Sequence, residues 1–174
     1  VQLTATDYDF LVLKLSGADA APLTTFSGDG RTEIAFDIDA GSSGGDVDGD
    51  ESILLQGTPL YVAGYATDEL GTDFAIAKIS ALNASEDLTF CPTAAACTGT
   101  QRTQGLRTIG YNLGGANDDR ARALALGADG NILVAGEVQR TVSGATSNNY
   151  LVTRIGSNGA YPGSFGSGTS IYNA

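Results

Sequence analysis

The chain has 174 residues, with 20 acidic against 9 basic side chains, 24 Gly, and no His, Met or Trp. Without histidine there is no Ser-His-Asp triad, no Cys-His dyad and no His-ligated metal or haem. A formal charge of −11 argues against nucleic acid or anionic lipid as a partner, because phosphates are held by clustered Lys and Arg.

Abundant Gly and few strong helix formers predict strands and turns. In chain order, residues 1–6 read as a frayed strand. Asp9-Phe10-Leu11-Val12-Leu13-Lys14-Leu15 reads as a full one. A turn over 23–28 closes on Phe26, and a further strand covers 32–37. A Gly-rich acidic loop over 40–50 follows. Next come strands at 52–56, at Leu60-Tyr61-Val62-Ala63-Gly64 and at Asp73-Phe74-Ala75-Ile76-Ala77-Lys78-Ile79. A turn ends at Phe90, a cysteine-containing loop spans 89–104, and a strand covers 106–112. The last stretch repeats the order: 121–126, Ile132-Leu133-Val134-Ala135-Gly136, Asn149-Tyr150-Leu151-Val152-Thr153-Arg154-Ile155, a turn over 161–166, and 169–174.

The three aromatic strands align without gaps, starting at Asp9, Asp73 and Asn149, which are 64 and then 76 residues apart. Repeats of this length, each a meander of short strands joined by turns such as Asp129-Gly130 and Asn158-Gly159, describe the blades of a β-propeller. Segment 118–126 would pass for a helix by propensity, but its place in the repeat predicts a strand. Phe74 and Ile76 point one way and Ala75, Ala77 and Ile79 the other, so the sheet is covered on both faces. The expected fold is all-β and β-propeller-like, with about three four-stranded antiparallel blades. These are 1–39 (incomplete), 40–112 and 113–174. Phe10, Phe74 and Tyr150 are expected in the core.

At this point the residues resemble the bacterial delta-sixty repeat family. The resemblance rests on Asp118-Asp119 followed by Ala123-Leu124-Ala125, on Asp129-Gly130-Asn131-Ile132-Leu133-Val134-Ala135-Gly136, and on the Asp73-Phe74 strand. It implies a propeller-like fold in a secreted, periplasmic or cell-surface protein, and carries over no catalytic residue. The chain departs from the pattern at 41–50 and 89–104.

About eleven strands make nearly three blades, whereas closed propellers use about four to eight. The expected partners are therefore other copies of the chain, a dimer giving roughly six blades, or further blades of a longer polypeptide. The start at Val1 reads as a processed chain or a fragment. No apolar run approaches the roughly 18 residues of a membrane helix, so no membrane insertion is expected.

Asp46, Asp48 and Asp50 place carboxylates at alternate positions around Gly49, an arrangement that suits calcium. Asp37 or Asp39 would complete the ligands. Against this, Glu51 stands where an EF-hand-type loop wants Gly, and a solvated acidic turn is the plain alternative. Cys91 and Cys97 are spaced for a small disulfide ring in an oxidising compartment, with two free thiols as the alternative. Gly41-Ser42-Ser43-Gly44-Gly45 matches a nucleophile-elbow pattern, yet Ser43 has no histidine to activate it. Asn83-Ala84-Ser85 matches a glycosylation sequon.

The primary expectation is a non-enzymatic exported module for binding or surface assembly, with no catalytic residues. The alternatives are a lectin-like carbohydrate-binding module, or a hydrolase or lyase using Asp118 and Asp119. Tyr61, Tyr65 and Tyr111, with loops 39–50 and 139–148, are candidates to line a glycan or surface-ligand groove.

Overall fold

A computed structural model of the chain describes residues 2–4, 7–38, 47–68, 70–92, 104–162 and 169–172, with the side chains of 2–4, 7 and 169–172 left undescribed. The described residues contain strands and turns and no helix. The strands are β1 (Gln2–Thr4), β2 (Asp7–Tyr8), β3 (Phe10–Leu13), β4 (Arg31–Ile34), β5 (Gly49–Leu55), β6 (Pro59–Asp68), β7 (Gly71–Ser80), β8 (Leu106–Ile109), β9 (Arg120–Leu126), β10 (Ile132–Val142), β11 (Ala145–Ile155) and β12 (Thr169–Tyr172).

β5-β6-β7-β8 form one antiparallel sheet in meander order and β9-β10-β11-β12 form another. β1 pairs with β2, and β3 with β4. In chain order β3-β4 is the first sheet, β5-β8 the second or middle sheet and β9-β12 the third, with β1-β2 a separate ribbon. Within 118–126, Arg120–Leu126 enters a sheet as β9, because pairing with β10 overrides its helical propensity.

The aligned aromatic strands pair in the same register. Phe10 pairs with Ile34, Phe74 with Ile109 and Tyr150 with Tyr172. Two residues on, Val12 pairs with Thr32, Ile76 with Arg107 and Val152 with Ser170.

The Ala-Gly of the repeat has a steric origin. Register slips by one residue in β5 between Asp50 and Ser52, and in β9 opposite Ala135/Gly136, so that Glu51 and Arg122 are bulged out. A Cβ on Gly64 would lie 1.8 Å from the Gly49 carbonyl oxygen, and one on Gly136 2.1 Å from that of Arg120. Only glycine fits opposite each bulge.

Alternation along the strands gives the middle sheet two apolar faces. Tyr61, Ala63, Phe74, Ile76 and Ile109 pack against Ala121, Ile132, Val134, Val138, Leu151 and Ile155 of the third repeat. Leu60, Val62, Ala75, Ala77, Ile79 and Leu106 pack against Phe10, Val12, Phe26, Ile34 and Phe36 of the first. An aromatic pair recurs in both cores, with ring centroids 5.0 Å apart for Phe10–Phe36 and 5.3 Å for Phe74–Tyr111. The described sheets form no closed ring.

Three expectations need correction. Tyr150 is 65% exposed while Phe10 and Phe74 are fully buried, because its strand position faces outward from the third sheet, where no described strand covers it. Tyr61 is fully buried in the core between the second and third sheets and lines no groove. Residues 139–148 are a hairpin, with Val142 paired to Ala145 across Ser143-Gly144; both turn residues have positive φ, which suits the right-handed strand twist.

Candidate functional sites

Asp9, Asp48, Asp73 and Asp119 are buried, and two of them, Asp48 and Asp119, sit where successive sheets meet. Asp119 lies at the entry to β9, where Thr72 and Asp118 form a parallel bridge. Its backbone N–H donates to the Thr72 carbonyl at 2.8 Å. Its Oδ2 accepts the Tyr111 N–H at 2.8 Å and its Oδ1 the Gln139 N–H at 3.3 Å. Burial pushes the Asp119 carboxyl above its usual range, against the pull of these two amides. Asp118 is half-buried beside it, and among the described residues its carboxylate accepts no hydrogen bond. The geometry makes Asp119 a tie between sheets.

Asp48 occupies the same place one repeat earlier. Its N–H donates to the Tyr8 carbonyl at 2.7 Å beside the parallel bridge of Tyr8 with Val47, and its Oδ2 accepts the Phe36 N–H at 2.8 Å. Asp50 is exposed on β5, its Oδ1 3.4 Å from the Leu11 nitrogen. Asp46, Asp39, Ser43 and Cys97 lie outside the described residues. Among the described residues, no three His, Cys, Asp or Glu side chains gather as metal ligands. Cys91 is buried against the third repeat, and its N–H donates to the Asn158 carbonyl at 2.9 Å.

A cation repeats as well. Lys14 Nζ donates to the Ala81 carbonyl at 2.6 Å and Lys78 Nζ to the Ser157 carbonyl at 2.9 Å, each reaching the next sheet. Lys78, buried, also pairs with Asp87 at 2.8 Å. Burial raises the Asp87 carboxyl, but hydrogen bonds from Lys78 and Thr89 outweigh it and hold the group below its usual range. Arg154, in the third such position, pairs with Asp129 at 2.8 Å.

Arg107 was not singled out by the sequence. It is fully buried with its guanidinium 4.3 Å from the centre of the Tyr161 ring, and its three side-chain nitrogens make no hydrogen bond among the described residues. Burial lowers its pKa. Thr32 and Ser170 hold its position in the other repeats, so no pattern could have announced it. Tyr65 is half-buried under the Arg120 guanidinium at 4.4 Å, and Tyr111 packs on Phe74, so the three tyrosines do not converge.

Apolar residues are exposed at both ends of the stack. On the third sheet's outer side Tyr150 borders a depression of about 360 Å³ lined by Arg122, Ala135, Glu137 and Val152. On the first sheet's outer side Leu13 and Leu15 are 55% and 49% exposed. Compared with known proteins, the chain matches no family model, no curated protein and no solved structure.

Proposed function

We propose that the chain is a non-enzymatic, exported β-propeller-type module of the delta-sixty kind, serving binding or surface assembly. The observation that carries this reading is the use of two of the four buried acids among the described residues: Asp48 and Asp119 are held in equivalent structural ties by backbone amides, while large apolar side chains stand on the outer faces. Carboxylates fixed in this way are poor candidates for proton transfer on a substrate. A Cys91–Cys97 ring, formed in an oxidising compartment, belongs to the same reading.

The test is incubation of the purified chain with bacterial surface polysaccharides, following both retention and release of reducing ends. Saturable retention without release is expected, unchanged in Asp118→Asn. Catalytic release of reducing ends overturns the reading, and its loss in Asp118→Asn would assign it to the carbohydrate-cleaving alternative.

A further inference from the structure

Within the chain one sheet-to-sheet interface is built twice. In each case a strand presents an aromatic, a β-branched residue and a Lys on its leading face: Phe10, Val12 and Lys14, then Phe74, Ile76 and Lys78. Each meets the trailing face of the next sheet's equivalent strand, formed by Ala75, Ala77 and Ile79 in one case and by Leu151, Thr153 and Ile155 in the other. The lysine then crosses to a backbone carbonyl, of Ala81 or Ser157. Those carbonyls are themselves repeat equivalents, 67 and 79 residues from their lysines, the difference of 12 matching that between the 76- and 64-residue repeats.

Both halves of this interface occur a third time, and among the described residues they do not meet. The leading half is Tyr150, Val152 and Arg154, with Tyr150 65% exposed where Phe74 is fully buried. The trailing half is Leu11, Leu13 and Leu15, with Leu15 49% exposed where its equivalent Ile79 is 1% exposed. Exposed apolar faces of this kind mark association surfaces. Each face already has a fitted counterpart in the fold, and the two unmatched faces are counterparts of one another.

We infer that the leading face of the third sheet, centred on Tyr150, docks the trailing face of the first sheet, centred on Leu13, of a second copy of this chain. The contact is head to tail, continuing the internal interfaces across the copies, with Arg154 directed at the backbone around the second copy's Gly17, the repeat equivalent of Ala81. Such heterologous contacts close into a ring or extend as a filament, according to the rotation between copies. The inference rests on the assembly reading above, yet is tested apart from it, since retention on polysaccharide and self-association are separate measurements.

The experiment is sedimentation velocity of the 174-residue chain over a concentration series, with Tyr150→Lys and Leu13→Lys, both at exposed positions, checked for native circular dichroism. Wild type is expected to associate, and each variant alone to lose at least tenfold in association. The two variants mixed should recover a complex of two copies, because each keeps the face the other lacks. Association of Leu13→Lys or of Tyr150→Lys alone at wild-type strength overturns head-to-tail docking in favour of like-with-like faces or an unrelated contact. A wild-type chain that stays monomeric overturns the second copy as occupant and leaves further repeats of the same polypeptide in its place.

Discussion

Asp119 Oδ2 accepts the Tyr111 backbone N–H at 2.8 Å across the boundary between the second and third sheets, and Asp48 does the same for Phe36 one boundary earlier. Removing either carboxylate leaves a backbone donor without its partner, at a cost of about 1–3 kcal/mol. Asp119→Ala and Asp48→Ala should each lose that much in urea unfolding. Asp118→Ala should stay within about 0.5 kcal/mol of wild type. For Asp48→Ala the loss should be the same with and without a calcium chelator. A loss that vanishes in chelator would make Asp48 a metal ligand and not a tie.

Glycine at the bulges makes a second prediction. Gly64→Ala and Gly136→Ala drive a methyl group into a backbone carbonyl and should cost about 3 kcal/mol. Gly57 and Gly130 have positive φ but open space around them, so alanine there should cost only about 1–2 kcal/mol. Thermal unfolding of the four variants checks the ranking.

Lys78 and Asp87 make the stability pH-dependent in a stated direction. A carboxyl held below its usual range in the folded chain stabilises it above the ordinary carboxylate pKa, and that contribution is lost as pH falls through the lowered value. Asp87→Asn should therefore be less stable than wild type near neutrality, with the gap closing in acid. A gap that persists below the carboxylate range would contradict this origin.

Arg107 is a buried charge without a hydrogen-bonded partner among the described residues, and such a group is often replaced by an apolar one without loss. Arg107→Leu should leave the unfolding free energy unchanged or raise it by about 1 kcal/mol. A loss beyond about 2 kcal/mol would show that stacking on Tyr161 outweighs burial of the charge.

Much of the fold was legible because the repeat is carried by local chemistry: the Asp-Phe strand, its alternating apolar faces and the Ala-Gly opposite each bulge. Which residues face each other across strands was not readable from these features, although the pairing turns out to repeat along the same alignment. The kinship of Asp48 with Asp119 was hidden, since one precedes Gly49 and the other Arg120. The available signal was distance: Asp48 stands 16 residues before Gly64 and Asp119 17 before Gly136. The alternating acids around Gly49 carry a stronger local pattern, that of a calcium loop, which masks this spacing. Tyr150 was misplaced for a different reason. Its position within the repeat is that of a core aromatic, and whether that face is covered depends on what stands beyond the sheet, which strand periodicity does not encode.

Native mass spectrometry of the untreated chain over a concentration series counts chains per particle and so reports whether the two outer faces meet between copies. Particles of two or more copies that grow with concentration, and that are lost in Tyr150→Lys, are the predicted result. A single-chain mass at every concentration would contradict the account of the two outer faces as halves of one interface between copies.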